Sequence, residues 1–403
     1  MWPRPGKAIA VNSRDSVMTD GSSNAHKVCF VATSAAMVHM LIGHGPQRVG
    51  GAELQLLKLA RHLRDRGWDV SFVVGDYGQP DRAETEDEIV VYRAHRPRGS
   101  TESALRFALR SLPRLWRALR AADADIYLQR CANWIAGPIA WYCRRSGRRF
   151  VFSLASITDA LCNQESEFLK SPPERWLCRR GLRQADAVIA QTREQLDLLR
   201  QHQRRDAMVI PNVWEAPNGG MPKPEPRRVL WAGSLIPLKR PLMLLEAAAL
   251  VPEVEFVMAG GDSAEHEDLA EQVRARAQAL PNVSLLGSVP FDELSIHYAD
   301  AWALVNTSRI EGFPNTFLQA WACAAPVVAT YDPDEVLCRH EIGFHCRTAG
   351  ELAERIRILC TDKALRDRMG CRAQEYVRSH HDPGVVIPKV EKLLTQLIDE
   401  RGT

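Results

Sequence analysis

The residues best suited to chemistry lie in a polar loop around Glu311. The apolar run 301–305 before it predicts a buried strand, and Pro314 after it suits the first position of a helix, because proline lacks an N–H that would have no intrahelical partner there. Open α/β sheets bind ligands at the carboxyl ends of their strands, and the free amides at a helix start attract anions. The sequence therefore predicts a ligand site at this loop, with Glu311 as its carboxylate.

A second loop, 232–241, places two cations beside another predicted helix. It connects the predicted strand 229–232 to a helix that we expect to begin at Pro241. Lys239 and Arg240 would then lie at a helix N-terminus, an arrangement that suits a diphosphate. The alternative is a solvated pair of charges on a surface turn.

Gly50 and Gly51 precede the first long predicted helix, 52–66. Glycine lets a ligand come close to the backbone and leaves N–H groups free for an anion, although glycine ahead of a helix is also common for structural reasons. The connection 34–49 that leads to them exceeds the roughly 2–6 residues typical of such loops. We therefore predict a functional or disordered loop there, and its two histidines are expected only to face solvent.

Short apolar strands alternate with helical segments on both sides of a Pro- and Gly-rich stretch, 214–228. This alternation is typical of parallel sheets covered by helices. A chain of 403 residues also exceeds the roughly 250–300 at which single cores stop growing, so we expect two domains. The predicted divisions are a disordered leader (1–26), a first Rossmann-like domain (27–213), a linker (214–228), a second Rossmann-like domain (229–380) and a C-terminal helix with its tail (381–403).

The segment Glu-Gly-Phe-Pro-Asn-Thr-Phe-Leu-Gln, from Glu311 to Gln319, resembles the acidic motif of the family 4 (group 1) glycosyltransferases. The resemblance covers roughly residues 28–398. It implies the GT-B fold, an α/β architecture in which two doubly wound Rossmann-like domains face a cleft and a C-terminal helix crosses back to the first domain. It also implies a retaining transferase, which moves a hexose from a nucleotide-diphosphate sugar to a hydroxyl of a glycan or lipid-linked acceptor in surface polysaccharide or glycolipid synthesis.

The same resemblance implies roles for individual residues. Glu311 would contact the donor sugar, Lys239 would bind the donor's phosphates, and these two residues are the predicted catalytic pair. Ser234 stands where the family has an arginine, and Gln319 replaces a second acidic residue that binds ribose. Segment 153–159 lacks the histidine that many relatives carry, and Ser156, Thr158 or Asp159 could serve as its hydrogen-bonding substitute. The complete predicted donor-binding set is Gly50, Gly51, Ser234, Arg240, Gly312, Phe313, Pro314, Asn315 and Gln319.

No metal and no cofactor are predicted; the nucleotide-diphosphate sugar is a co-substrate. Asp332-Pro333-Asp334 has the spacing of a metal motif, but it follows a strand and better suits a turn. The ten cysteines include no Cys-x-x-Cys pair, so neither a zinc site nor a disulfide framework is indicated, and a reducing cytoplasm fits best.

Charge is distributed unevenly along the chain. Residues 1–214 contain 32 Lys and Arg against 22 Asp and Glu, whereas 215–403 contain 20 against 27. The excess is concentrated in Arg93–Arg120, a basic amphipathic stretch interrupted at Pro113. It predicts either contact with an anionic membrane surface or a surface helix packed on the sheet. We expect a cytoplasmic protein, and the first of these two readings would make it a peripheral one on the inner face of the membrane. No nucleic-acid partner is expected, since no recognition motif accompanies the charge.

Two alternatives remain open and a third is disfavoured. The substitutions at Ser234 and Gln319 are compatible with a catalytically silent sugar-nucleotide-binding partner of a membrane complex. A GT-B nucleotide-sugar epimerase or a hydrolase would share the fold. A nicotinamide oxidoreductase is disfavoured, because Gly43-His44-Gly45 lacks the third glycine of the dinucleotide fingerprint.

Overall fold

The computed structural model describes residues 25–44, 49–99, 102–162, 169–215 and 228–400. The chain divides into two compact units, one formed by Met1–Val213 with Val386–Thr403 and the other by Trp214–Val385. Nearly all of the predicted leader and most of the predicted linker lie outside the described residues.

The first unit contains an eight-stranded sheet in the order β3-β4-β2-β1-β5-β6-β7-β8. Its strands are β1 Lys27–Ala32, β2 Asp69–Val74, β3 Arg82–Glu84, β4 Val90–Arg93, β5 Ile126–Arg130, β6 Arg149–Ser153, β7 Ala187–Ala190 and β8 Met208–Val209. All neighbours run parallel except β3, which pairs with β4 in the antiparallel sense.

Helices cover both faces of this sheet. They are α1 Ala35–Ile42, α2 Gly51–Asp65, α3 Ala104–Ala122, α4 Ala136–Ser146, α5 Ile157–Leu161, α6 Pro172–Gln184 and α7 Arg193–Gln203. Successive residues of a strand point to opposite faces, so Val28 and Phe30 join the core under α2, whereas Cys29 and Val31 join the core under α3 and α4.

Helix α1 lies where the sequence analysis predicted a loop, so that prediction is wrong. The Ser34 hydroxyl accepts a hydrogen bond from the amide of Met37 at 3.3 Å, and Gly43 ends the helix in the left-handed conformation with φ of 66°. Met37, Val38, Leu41 and Ile42 are buried. Their i, i+1, i+4, i+5 spacing and the serine cap are the sequence features that indicate this helix, whereas the length of the connection indicates only a long loop.

The second unit contains a six-stranded parallel sheet in the order β11-β10-β9-β12-β13-β14. Its strands are β9 Arg228–Ala232, β10 Phe256–Ala259, β11 Val283–Gly287, β12 Ala301–Asn306, β13 Val327–Ala329 and β14 Gly343–His345. Its helices are α8 Pro241–Ala249, α9 Glu267–Gln278, α10 Phe291–Ala299, α11 Asn315–Ala322, α12 Val336–Arg339, α13 Ala349–Thr361 and α14 Lys363–His380, with 3₁₀ turns at Pro237–Lys239 and Pro333–Glu335. The prediction of two doubly wound α/β domains is confirmed.

The last helix, α15 Pro383–Asp399, contributes side chains to the core of the first unit. Val386, Val390 and Leu394 are buried in the same hydrophobic cluster as Val28 and Phe30 of β1. The C-terminal segment therefore completes the apolar face that α2 covers in part.

Candidate active site

Three loops at one edge of the second sheet hold most of the predicted site residues. Strands β9, β12 and β13 are neighbours and run parallel, so their carboxyl ends meet at the same edge. The loops that leave them contain residues 233–240, 307–314 and 330–332. This is the edge at which open α/β sheets bind ligands.

Lys239 and Glu311 form an ion pair between two of these loops. The Lys239 ammonium contacts Oε1 of Glu311, and the Ser308 hydroxyl donates to the same oxygen at 2.7 Å. The side chains of Lys239 and Glu311 are 25% and 15% exposed, so both remain reachable from solvent. Among the described residues, Oε2 of Glu311 has no hydrogen-bond partner, which leaves an acceptor for a ligand hydroxyl.

The backbones of the two loops are also tied together. The Thr307 hydroxyl donates to the carbonyl oxygen of Lys239 at 2.6 Å and accepts from the indole N–H of Trp231 at 3.0 Å. The amide of Arg309 donates to the carbonyl of Leu238 at 2.9 Å. Thr307 and Trp231 are almost fully buried, so this linkage is shielded from water.

The Arg240 guanidinium is directed at the same loop. Its Nε donates to the carbonyl of Thr307 at 2.7 Å, and its Nη2 donates to the Thr330 hydroxyl at 2.5 Å. Burial, with a smaller contribution from the charge of Arg309, lowers the pKa of Arg240, which remains charged at neutral pH. The contact between Arg240 and a donor phosphate stays a prediction.

Helix α11 begins one residue later than the sequence predicted. Pro314 is its N-cap, with an extended ψ of 123°, and Asn315 is the first helical residue. The fixed φ of proline is compatible with both positions, so the residue type alone could not separate them. Asn315 and Gln319 are both half-buried and lie four residues apart, on the same side of the helix. Phe317, Leu318 and Trp321 fill the core, as predicted.

Gly312 and Phe313 lie between Glu311 and α11. The carbonyl of Gly312 accepts a hydrogen bond from the Tyr331 hydroxyl at 3.3 Å. The Phe313 ring is buried against the imidazole of His381, with ring centroids 4.8 Å apart. These contacts fix the path of the loop just before the helix start.

Ser234 is exposed at the start of the 233–240 loop. The neighbouring turn is tight, because a Cβ at Gly260 would lie 1.9 Å from the carbonyl oxygen of Gly233. Only glycine fits there, and the loop after β9 is thereby held against the end of β10.

Gly50 and Gly51 belong to the first unit, at the start of α2. Gly50 is the N-cap, and Glu53 folds back so closely that a Cβ on Gly50 would lie 2.0 Å from its carboxylate. The Ser34 hydroxyl donates to Glu53 at 2.6 Å. A carboxylate of the protein itself therefore lies at this helix start, where its negative charge interacts favourably with the helix dipole.

Asp159 has a structural role, which argues against it as a replacement for the absent histidine. Its buried carboxylate accepts hydrogen bonds from the amides of Ala132, Ala155 and Ser156 at 2.7–3.0 Å. Burial raises the pKa of Asp159, although these amides oppose the shift. The Ser156 side chain caps α5, so it too is engaged locally.

Sequence reasoning missed Thr307, Ser308 and Thr330. The signal for the first two was the Asn-Thr-Ser sequence at a strand end, because asparagine there favours a local turn. In the structure the Asn306 side chain accepts a hydrogen bond from the amide of Ser308 at 2.9 Å. Thr330 had no signal, because its role depends on Arg240, which is 90 residues away.

Within the described ranges, no group of three or more His, Cys, Asp or Glu side chains is arranged to hold a metal ion. The Asp332 carboxylate instead accepts a hydrogen bond from the amide of Leu337 at 2.8 Å, beside the 3₁₀ turn Pro333–Glu335. Whether the reaction requires a metal stays a prediction.

Comparison with known proteins identifies the family. The model described as Glycosyltransferase Family 4 matches residues 49–213, and the model described as Glycosyl transferases group 1 matches residues 226–362. Together the two matches span well over half of the chain. The chain belongs to the family 4 (group 1) glycosyltransferases. The predicted family and enzyme class are confirmed.

Individual relatives agree with this family. A sucrose-phosphate synthase from Thermosynechococcus elongatus superimposes with a TM-score of 0.76 at 20% identity, covering 93% of this chain and all of that one. HepE from Anabaena, solved with UDP and glucose, gives 0.72 at 19% identity, covering 92% of this chain and 100% of HepE. At such identities the likeness shows the fold, which is that of the GT-B transferases.

A curated relative is more similar over a shorter stretch. The D-inositol 3-phosphate glycosyltransferase of Mycolicibacterium gilvum is 36% identical over 109 residues, which are 26% of this chain and 25% of that protein. The matches to curated relatives thus span a quarter to a third of those proteins' lengths.

Proposed function

We propose that this glycosyltransferase is a retaining enzyme that moves a hexose from a nucleotide-diphosphate sugar to a hydroxyl of a glycan or lipid-linked acceptor, in surface polysaccharide or glycolipid synthesis. The observation that carries the proposal is the contact between Lys239 and Glu311 at the carboxyl edge of the second sheet. A cation for a diphosphate and a carboxylate for sugar hydroxyls lie side by side there. HepE, a protein of the same fold, was solved with UDP and glucose, which supports this type of donor.

Departure of the nucleoside diphosphate leaves negative charge on its oxygens. In this proposal Lys239 stabilises that charge, together with the amides at the start of α8, while Glu311 orients the sugar through its hydroxyls. Electrostatic contacts of this kind typically contribute about 10²–10³-fold to rate each. Because a protein cation supplies the charge, we propose that no metal or cofactor takes part. We assign no residue as an enzymatic nucleophile.

A panel of nucleotide sugars tests this function. We expect one sugar nucleotide to raise the melting temperature by at least about 2 °C, because a ligand that binds only the folded state stabilises it. With lipid-linked and glycan acceptors, we expect release of the nucleoside diphosphate, no loss of rate in EDTA, and a product whose anomeric configuration by NMR is that of the donor.

Other outcomes would favour the alternatives. Stabilisation by NAD and by no sugar nucleotide would contradict the transferase. Binding without transfer would support a catalytically silent partner, and conversion of the sugar nucleotide without an acceptor would support an epimerase or a hydrolase. An inverted anomer would contradict retention alone.

We further propose a cytoplasmic protein that associates with the anionic inner face of the membrane through α3. Within the basic stretch, α3 runs from Ala104 to Ala122 without a break, so the predicted interruption at Pro113 is wrong; the proline lies on the exposed side, where water can satisfy the freed carbonyl. Arg106, Leu109, Arg117 and Arg120 are exposed at helical spacing. Among the described residues, none of these three arginines has a carboxylate partner within salt-bridge distance.

Four other arginines of the stretch are paired with carboxylates within the first unit. Arg93 and Arg96 pair with Asp76, and Arg98 and Arg110 pair with Glu174 and Glu102. Beside α3, Trp141 is 45% exposed and stacks on Trp116 with ring centroids 4.8 Å apart. Exposed tryptophan beside unpaired arginine suits a lipid interface, where one end of the ring is apolar and the other is hydrated. Among the described helices, none is long and apolar enough to cross a membrane.

Sedimentation with vesicles tests the surface. We expect binding to vesicles with 30% phosphatidylserine (roughly the anionic content that attracts basic segments) and weaker binding at 0.5 M salt. An Arg117→Gln/Arg120→Gln variant should lose about 30-fold in affinity, since each arginine near such a surface contributes about 1 kcal/mol. Lys389→Gln/Lys392→Gln removes the same charge from exposed positions of α15, on the other face of the sheet, and should bind normally. Equal loss in both variants, or no binding by the wild type, would contradict the proposal.

A further inference from the structure

Arg240 adopts a backbone conformation that its residue type disfavours. Its φ of 45° and ψ of 54° lie in the left-handed region, between the 3₁₀ turn Pro237–Lys239 and helix α8. Glycine occupies this region without steric cost, whereas an arginine there retains strain. An arginine at such a position is explained if its side chain makes contacts that offset the backbone strain, which glycine has no side chain to make.

The side chain of Arg240 joins the ends of two strands. Its Nε donates to the Thr307 carbonyl after β12, and its Nη2 donates to the Thr330 hydroxyl after β13. Thr330 in turn donates to the Ser308 carbonyl at 3.0 Å. One guanidinium therefore holds two successive carbonyls, that of Thr307 directly and that of Ser308 through the Thr330 hydroxyl. This requires two donors in a fixed fork, which arginine has and lysine lacks.

Those carbonyls belong to the residues that hold Glu311. The Ser308 hydroxyl donates to the Glu311 carboxylate at 2.7 Å, and Thr307 bonds to the backbone of Lys239 at 2.6 Å. A shift of the 307–308 backbone would move the carboxylate away from the ammonium. Displacements of about 1 Å in catalytic groups can cost about 10²-fold in rate.

We propose that Arg240 is a positioning residue, whose guanidinium holds the Thr307–Ser308 backbone so that Glu311 meets Lys239, rather than a second contact to the donor phosphates. The inference rests on the proposed transfer for its kinetic readout. Its structural readout, the protection of the loop amides, is independent of any activity.

The Arg240→Gly variant separates positioning from stability. Because glycine relieves the left-handed strain, we expect the melting temperature to be unchanged or higher, while kcat falls about 10–100-fold. Affinity for the best-bound of UDP, GDP and ADP should stay within about twofold, and amide exchange in residues 307–311 should accelerate. Arg204→Gly is the matched control, since Arg204 is exposed, has a φ of 52° and makes no side-chain hydrogen bond among the described residues.

Variants at Thr330 test the same linkage from its other end. Thr330→Val removes the hydroxyl that joins Arg240 to Ser308 and should lower kcat several-fold, whereas Thr330→Ser keeps the hydroxyl and should restore it. The valine variant should also accelerate exchange in 307–311, without a change in nucleotide affinity.

Three results would overturn the inference. A tenfold loss of nucleoside diphosphate affinity in Arg240→Gly with normal exchange would make Arg240 a direct phosphate contact. A fall in melting temperature that accounts for the loss of kcat would make it only structural. Unchanged exchange and unchanged kcat would remove the role. If the wild type transfers no sugar at all, the proposed function fails, yet the exchange measurement still decides whether Arg240 orders the loop.

Discussion

Replacement of Glu311 by alanine should lower the rate of sugar transfer by about 10²–10³-fold, the loss typical when one electrostatic contact to the reacting group is removed. In the proposed complex the carboxylate orients the donor sugar through Oε2, the oxygen to which no described residue forms a hydrogen bond. Truncation removes that contact and also leaves the Lys239 ammonium without its partner. The measurement is kcat/KM with the donor that the panel identifies.

Folding should be affected far less. Because the Lys239 side chain is 25% exposed, water can solvate the ammonium once the carboxylate is gone. Partly exposed ion pairs contribute about 1 kcal/mol or less to the free energy of unfolding. Glu311→Gln should retain the fold equally well, yet recover only a small part of the activity, since an amide hydrogen bond lacks charge assistance.

Glu253→Ala is the matched control for this prediction. Glu253 also pairs with a cation, Arg357, at 2.8 Å in the second unit, but it precedes β10 and so lies at the opposite edge of the sheet. This variant should transfer sugar at the wild-type rate. Equal losses of melting temperature and activity in Glu311→Ala would mean that Glu311 is structural.

Much of this arrangement could be predicted because parallel sheets obey strict topological rules. Lys239 and Glu311 are 72 positions apart, yet both follow predicted strands, and carboxyl ends of neighbouring parallel strands share an edge. The alternation of strands and helices predicted the two sheets for the same reason. Local chemistry and topology were sufficient for these features.

The remaining features depend on contacts that leave no local pattern. Nothing in the sequence around Thr330 indicates that its hydroxyl meets Arg240, and nothing near Arg240 indicates a left-handed backbone. Asp159 illustrates the converse, since its residue type and position suit acceptor binding, yet its carboxylate accepts hydrogen bonds from three backbone amides. Side-chain allocation of this kind is decided by packing, which residue types alone do not specify.

The donor's diphosphate would be held with few charges, which makes Lys239 unusually important. Ser234 supplies no charge where the family has an arginine, and the Arg240 side chain already binds the loop through Nε and Nη2. Lys239 is the other cation in this loop. Among the described residues, the partner of its ammonium is Glu311, the carboxylate that the donor sugar would also contact.

We therefore expect Lys239→Met to lower kcat by about 10²–10³-fold and to weaken binding of the nucleoside diphosphate by about tenfold or more, because both the ground-state phosphates and the developing charge lose their cation. Nucleotide affinity measured by calorimetry, alongside kcat, separates the two effects. Lys363→Met is the control: it removes an exposed lysine paired with Asp367 at 2.7 Å on α14 and should change neither quantity. If Lys239→Met bound the nucleotide normally and lost only kcat, the ammonium would act on the leaving group alone. Unchanged affinity and unchanged kcat together would remove Lys239 from the site, and the diphosphate would then have to rest on the amides at the start of α8.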